Sequence, residues 1–306
     1  MAKAEDSREP SDHVPMPFTF RGVALLARGP GWRLAVALVV AAVFVALCCV
    51  WFLSRHWAPA VDEAIASLPA SKGAIRDGRL HWEDTDWRQL TRPGGSAKPH
   101  FIVDPENRKE DGSGPDVQLE LRKDHWVLSS VMGYWRLKYP DWLKVDLHQQ
   151  RLSPWWGARR PFLLLGVGVA VVLWLAFAWP LAALAGAWPV RTVAYFADRE
   201  GSLGTYWRLA LAAMIPAAVL FALGVVCYGL GLLPLLGLVV VFALHLVVAW
   251  VFMFFAPFYL SRIEGAPRKG NPFKDKGEGE AEGETGNPFG EGAKAKAVRT
   301  PVDGDG

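Results

Sequence analysis

The sequence predicts an α-helical membrane protein with four transmembrane helices and a small extracytoplasmic α+β domain, mostly antiparallel β. First, only 21% of the 306 residues are charged, whereas soluble domains carry about 25%. Second, residues 34–53, 161–187 and 209–261 contain no Lys, Arg, Asp or Glu, and about 20 apolar residues span a bilayer. Third, a polar segment with strand-like alternation, residues 54–160, separates the first two apolar stretches. The longest stretch has room for two helices joined by a short turn.

Changes in composition divide the chain into eight segments. The N-terminal segment is polar and rich in proline, and the C-terminal segment has ten glycines and two aromatic residues, a composition that cannot bury a core. The predicted segments are a disordered cytoplasmic N-terminus (1–31) with an interfacial piece around Phe18 to Leu26, transmembrane helix 1 (32–55), an extracytoplasmic β-rich domain (56–158), transmembrane helix 2 (159–187), a cytoplasmic linker with a short interfacial helix (188–208), transmembrane helices 3 (209–230) and 4 (235–258), and a disordered cytoplasmic tail (262–306).

The first apolar stretch is interpreted as a retained signal-anchor. Signal-peptide cores are about 7–15 residues long and follow a short basic segment, whereas this stretch is longer and begins after more than 30 residues. Ala58-Pro59-Ala60 offers a cleavage site under the alternative interpretation. The adjacent cysteines Cys48 and Cys49 are interpreted as apolar helix residues.

The polar segment reads as a series of short strands. Asp77-Gly78 separates two short apolar runs and predicts a hairpin turn, because glycine tolerates positive φ. His100–Val103 is a second strand, ended by Asp104-Pro105. Val117–Leu121 alternates apolar and polar residues, which predicts a half-buried strand. Trp126–Leu128, Tyr134–Tyr139 and Leu143–Leu147 are further strand candidates.

Prolines and glycines shape the last three helices. Pro180 is expected to kink or break helix 2 near its inner end, and Val190–Asp198 is expected to form the interfacial helix of the linker. Gly229, Gly231 and Pro234 predict a tight turn between helices 3 and 4. Small residues four apart, such as Ala213 and Ala217, suggest where helix 3 meets its neighbours.

Lys and Arg in short flanking loops set membrane orientation. Arginines flank the first helix on its N-terminal side, follow helix 2 and open the tail. The turn between helices 3 and 4 has none. The arginines are Arg21, Arg28, Arg33, Arg191, Arg199, Arg208, Arg262 and Arg268. This distribution predicts that both termini are cytoplasmic and that residues 56–158 are outside.

His245 lies near the middle of the fourth predicted helix. An ionisable residue inside a membrane is a functional candidate, but the apolar stretches 34–53, 161–187 and 209–261 contain no Lys, Arg, Asp or Glu that could act with it. The alternative interpretation is a neutral imidazole that hydrogen-bonds within the bundle, and it is preferred.

The tail contains a repeated tripeptide, Asn271-Pro272-Phe273 and Asn287-Pro288-Phe289. Asn-Pro starts a turn and presents one aromatic side chain, and such tripeptides resemble adaptor-binding motifs of eukaryotic trafficking proteins. A duplication inside a low-complexity segment is the other interpretation.

Catalytic and metal-binding patterns do not occur in the sequence. Glu83, Asp84 and Asp86 beside His81 lack the ligand order of a calcium loop, and we interpret them as a solvated turn. No nucleophile elbow, zinc-binding or phosphate-cradling motif is present. Basic residues do not cluster as nucleic-acid binding requires. We therefore expect neither an enzyme, a cofactor nor a nucleic-acid partner.

The predicted layout is one helix, an outer β-rich domain and three further helices. Together with Asp77-Gly78, Ile102-x-Asp104 and the alternating strand that follows them, this layout resembles bacterial multi-pass membrane protein families of unknown function. The resemblance implies a bacterial cytoplasmic membrane and carries over no catalytic residue or ligand. The leading hypothesis is an envelope scaffold, sensor or accessory subunit that sits in the lipid bilayer and whose outer domain binds an envelope protein or a second copy. The alternatives are a transporter or channel subunit acting as an oligomer and, more distantly, a membrane enzyme.

Overall fold

The computed structural model describes residues 16–68, 73–82, 88–92, 94–95, 97–106 and 116–262. Four helices within these residues are long and apolar enough to cross a membrane; they are Gly31–Ala66, Gln149–Phe196, Leu203–Gly229 and Leu235–Tyr259. The prediction of four such helices is confirmed.

The first long helix consists of three consecutive elements, namely α2 (Gly31–Phe52), a π-helical turn (Leu53–Trp57) and α3 (Ala58–Ala66). The π-helical turn lies directly before Pro59. A proline ring blocks the ordinary helical hydrogen bond to the carbonyl four residues earlier, so a wider turn at this point keeps the helix continuous. The helix therefore extends beyond the predicted boundary at residue 55 and carries the chain into the polar segment.

A short helix, α1 (Phe20–Arg28), precedes the first long one. It lies where the sequence predicts an interfacial piece, around Phe18 to Leu26, within the segment 1–31 that is otherwise expected to be disordered. Thr19 caps the helix by accepting a hydrogen bond from the Gly22 N–H at 3.0 Å. Val23, Ala24 and related small apolar side chains are buried against the helical bundle. The prolines that suggested disorder lie outside the helix, and its apolar face supplies the packing energy.

The second long helix, α4 (Gln149–Phe196), has 48 residues, about 72 Å at 1.5 Å per residue. It runs unbroken through Pro180 and Pro189. The predicted break at Pro180 and the separate linker helix over 190–198 are therefore wrong. The carbonyl of Pro180 accepts a hydrogen bond from Trp207 Nε1 at 3.1 Å. This bond joins the next long helix, Leu203–Gly229, to α4 beside the proline, although the acceptor that Pro180 leaves without its helical donor is the carbonyl four residues earlier.

The third long helix, α5 (Leu203–Gly229), lies at the centre of the bundle, and α1, α2, α4 and α6 (Leu235–Phe255) all pack against it. Leu209 and Ala213 are fully buried. Ala217, also on the small-residue stripe, is buried too, as expected for a site of helix contact. A 3₁₀ turn (Ala256–Tyr259) follows α6.

The described residues between 73 and 147, called the polar domain here, form two sheets. Strands β1 (Gly73–Arg76), β2 (Arg79–His81) and β8 (Val145–Leu147) pair antiparallel in the order β2-β1-β8. Asp77 and Gly78, with φ of 52° and 69°, form the predicted turn. Strands β3 (Arg88–Gln89), β4 (His100–Val103), β5 (Val117–Leu121), β6 (His125–Ser130) and β7 (Gly133–Lys138) form the second sheet in chain order. Every pair is antiparallel except β4 with β5, so the mostly antiparallel prediction is confirmed.

Strand β5 shows the predicted alternation, but both of its faces are covered. Gln118 and Glu120 are buried, whereas Leu119 is partly exposed. Leu121 packs against an apolar core that includes Ile75 and the α3 residue Ala64. Burial alternates along β5 as predicted, but the polar side chains are the more buried ones, and the sequence does not reveal which elements cover each face of the sheet.

Candidate functional site

Strand β7 is an outer strand of the five-stranded sheet, with β6 on one side and no strand on the other among the described residues. All six of its residues are exposed. A two-residue loop joins the strands, and Ser130 pairs with Gly133. The two residues that close a two-residue hairpin loop exchange both of their backbone hydrogen bonds with each other. Along the two strands, every second pair of facing residues does the same. The N–H and C=O groups of Tyr134, Arg136 and Lys138 therefore point away from β6.

The pairing at the end of β7 away from the hairpin loop agrees with this assignment of inward and outward backbone groups. The N–H of Tyr139 bonds to the carbonyl of Asp124 at 3.5 Å, the bond that flanks a non-hydrogen-bonded pair of His125 with Lys138. The outward backbone groups of β7 form a row with the polarity that a further strand needs. We call residues 131–138 the β7 edge.

The side chains of the β7 edge are unusually apolar for an exposed strand. Tyr134, Trp135 and Leu137 are 64%, 49% and 50% exposed, and Val131 and Met132 at the hairpin tip are exposed as well. Open edges are normally protected by charge, bulges or a covering segment. Arg136 and Lys138 supply two charges at one end of the strand, and the Arg136 guanidinium lies over the Tyr134 ring at 5.3 Å from the centroid. An open edge with aromatic side chains is typical of a protein-binding surface.

Buried polar contacts hold the sheet behind this edge. Arg122 donates to Glu120 Oε2 from Nη2 at 2.8 Å and from Nε at 3.1 Å. Gln118 Nε2 donates to the other oxygen of Glu120. The side chain of Glu120 is only 3% exposed, so this charge depends on its partners within the protein.

Two contacts fix the β7 edge where it leaves the sheet. The Tyr139 hydroxyl donates to the carbonyl of Arg122 at 2.8 Å, and burial raises the pKa of Tyr139 above its usual range. A hydrogen bond from His125 lowers the pKa of Asp124, in the turn that joins β5 to β6. The edge is thus a fixed surface on a stable sheet.

The polar domain is joined to the helices by specific contacts. The two helix ends that flank the polar domain are tied together, because Asp62 of α3 accepts hydrogen bonds from Trp156 Nε1 of α4 at 2.7 Å and from Arg160 Nη1 of α4 at 2.9 Å. Asp116 Oδ2 accepts from the Tyr228 hydroxyl and from the Leu235 N–H, both at 3.3 Å. These contacts place the polar domain at the end of the bundle that carries the α5–α6 turn.

A cleft of about 430 Å³ lies at this junction. Arg55, His56 and Lys98 line it together with the α5–α6 turn. Lys98 is paired with Glu63 of α3, and His56 belongs to the π-helical turn. No local sequence pattern indicates this cleft, since its residues come from three segments that are distant in the chain.

His245, the candidate inside a predicted span, is placed on α6. Its Nδ1 lies within hydrogen-bond distance of the Phe242 carbonyl of the same helix. Its ring packs against Phe221 and Phe242 with centroid distances of 5.4 and 4.8 Å. The contacts are those of a packed side chain.

The remaining sequence candidates lie outside the described residues. These are the tail residues Asn271, Pro272, Phe273, Asn287, Pro288 and Phe289, and the acidic residues 83–86. No group of three His, Cys, Asp or Glu side chains suited to a metal ion occurs in the part of the chain that the structure describes.

No protein-family model, curated protein or solved structure matches this chain. Function therefore rests on the geometry of the molecule, and the β7 edge is its most distinctive surface.

Proposed function

We propose that this chain is a non-enzymatic, membrane-anchored envelope protein whose polar domain binds an extended segment of a partner protein along the β7 edge. The observation that carries the proposal is the open row of backbone donors and acceptors on Tyr134, Arg136 and Lys138. Adding a strand to such an edge is a recurrent mode of protein recognition. The four apolar helices supply the anchor.

The side chains of the edge define the partner's chemistry. Tyr134, Arg136 and Lys138 alternate with Trp135 and Leu137 along β7, so they lie on opposite faces. A pairing strand with acidic side chains on the Arg136 face and apolar ones on the Trp135 face complements both. A segment of an envelope protein and a strand from a second copy of the chain are the two sources.

The distribution of arginines supports an orientation with both termini in the cytoplasm of a bacterial cell and the polar domain outside. Arg28 bonds to Ser261, and Arg208 bonds to the carbonyl of Gly29, so the arginine-bearing segments meet at one end of the bundle, called the basic end here. The polar domain and the α5–α6 turn lie at the other end. Basic residues favour the cytoplasmic side.

Labelling on whole cells tests this orientation. With the variants Lys144→Cys in the polar domain and Glu200→Cys at the basic end, a membrane-impermeant maleimide is expected to label the first on intact cells and the second only after permeabilisation. The parent chain, whose three cysteines are Cys48, Cys49 and Cys227, gives the background. The reverse pattern contradicts the orientation.

Photo-crosslinking in native membranes tests the binding surface. A photoreactive phenylalanine analogue in place of Tyr134 is expected to give a discrete product with one partner protein. The same analogue at Lys144, exposed but outside the β7 edge, is the matched control. A product with the mass of two copies identifies self-association. Equal products from both positions, or none from Tyr134, contradict the proposal.

A transporter or channel subunit, the alternative from the sequence, has less support. Transport sites are built near the midplane from interrupted helices and polar side chains. Helices α4 and α5 run unbroken through Pro180 and Pro216. His245 is engaged with its own helix.

A further inference from the structure

The basic end of the bundle contains an open cleft of about 580 Å³ between the end of α4 and the start of α5. Arg191 and Tyr195 line it from α4, Arg199 and Glu200 from the connecting loop, and Tyr206 from α5. Gly201 sits so close to the Tyr206 ring that an added Cβ would lie 2.6 Å from it. The glycine therefore lets the ring form one wall of the cleft.

The arginines of the cleft lack counter-ions. Arg199 donates from Nη1 to the carbonyl of Leu260 at 2.7 Å, which holds the guanidinium in place without neutralising it. Its Nε is buried and has no hydrogen-bond partner within the described residues. Neither arginine forms an ion pair with Glu200 or any other carboxylate among those residues. The cleft thus holds two positive charges, one of them fixed by its hydrogen bond to Leu260, against one carboxylate.

The amino end of α5 adds donors of the same polarity. The first amides of a helix have no intrahelical partner. Ser202 Oγ accepts from the Thr205 N–H at 3.2 Å and lies 3.1 Å from the Thr205 hydroxyl, so it caps the third amide of the helix, and Leu203 lines the cleft. The Leu203 and Gly204 N–H groups and the positive end of the helix dipole favour an anion beside the two guanidinium groups.

The surroundings of the cleft favour an anion that carries hydrocarbon. Tyr195 and Leu203 line the cleft, the Phe196 ring lies beside the Tyr195 ring with centroids 5.6 Å apart, and all three side chains are exposed. Aromatic residues collect at the membrane–water interface. An anion seated between the arginines would have its attached chains along these side chains.

We propose that this cleft binds the phosphate group of an anionic lipid, with Arg191 and Arg199 as its cationic contacts. The guanidinium groups contact the phosphate oxygens, since their planar arrays of N–H groups match that geometry. Tyr195 and Tyr206 line the headgroup space. Basic pockets between helices bind lipid headgroups by the same chemistry. The site is separate from the β7 edge and does not depend on it.

Titration of the full chain in a neutral detergent tests the proposal, with bound lipid counted by native mass spectrometry. Phosphatidylglycerol is expected to bind, and phosphatidylcholine is expected to bind weakly. Arg191→Gln is expected to weaken phosphatidylglycerol binding about tenfold, as the loss of one charged hydrogen bond implies. Arg191→Lys is expected to retain part of the affinity. Arg191 is exposed and unpaired among the described residues, so its substitution leaves the fold intact.

Arg159→Gln is the matched control, because Arg159 is also exposed on α4 but lies near the opposite end of that helix, stacked on Trp155. It is expected to leave binding unchanged. An equal loss in both variants, or equal binding of the two lipids, overturns the proposal. Inorganic phosphate is the third arm. Displacement of the lipid by phosphate at matched concentration overturns the assignment to a lipid, since the cleft then recognises the phosphate group alone.

Discussion

Replacement of Arg136 by proline is expected to reduce capture of the partner by the Tyr134 photoprobe by about tenfold or more, since it removes an outward N–H and places a ring in the path of a pairing strand. Proline is tolerated at an edge position whose N–H faces away from the sheet. Because the N–H of Arg136 points away from β6, the hydrogen bonds between β6 and β7 are retained and the polar domain remains folded.

Arg136→Ala is the matched variant, because it removes the same side chain but keeps the backbone donor. It is expected to capture most of the partner. Capture is quantified as the fraction of the chain in the crosslinked product. Equal capture by the proline and alanine variants contradicts strand addition. Loss in the alanine variant alone shows that the partner recognises the side chain, which also contradicts strand addition. A trypsin digest of each variant confirms that the polar domain is intact.

Replacement of Arg122 by methionine is expected to destabilise the polar domain by about 3–5 kcal/mol, the usual effect of leaving a buried charge without its partner. Glu120 loses both guanidinium hydrogen bonds and keeps that of Gln118. The free energy of unfolding is measured on the full chain by pulse proteolysis across a urea gradient.

The double variant Glu120→Gln with Arg122→Met is expected to recover most of that loss. Glutamine keeps an oxygen for Gln118 but carries no charge, so nothing ionic remains buried in the pair. Arg79→Met, a substitution at an exposed arginine of the same domain, is expected to change stability by less than about 0.5 kcal/mol. An Arg122→Met effect equal to that of Arg79→Met refutes a structural role for the pair.

The sequence predicts β7 as a strand but not its position at the open edge of the sheet. Residues 134–139 read as a strand because Tyr, Trp and Leu favour strands, and β7 spans 133–138. Position at the edge depends on which strands pair, and pairing is a non-local property. The same holds for β5, because alternation predicts the strand, whereas the burial of its polar side chains depends on what packs across that face.

At the basic end of the bundle, too, the sequence predicts the individual residues but not how they come together. Arg191 and Arg199 were identified as topology markers from their place in a short loop. Their convergence on one cleft depends on α4 continuing to Phe196, whereas the sequence predicts a kink or a break at Pro180. A proline signals a lost hydrogen bond locally, but the packing of α4 against α5, such as the contact of Trp207 with the Pro180 carbonyl 27 residues earlier, is not visible in the local pattern.

The order of helices and strands, the four apolar helices and the Asp77-Gly78 turn were determined by local sequence, because hydrophobic length, period and positive-φ tolerance are properties of consecutive residues. Only the tertiary structure decided that α5 is central, that α1 docks on it, that Glu120 is buried with Arg122 and that β7 is left open. These features arise from contacts between segments far apart in the chain, and their energies depend on neighbours that no single stretch of sequence contains.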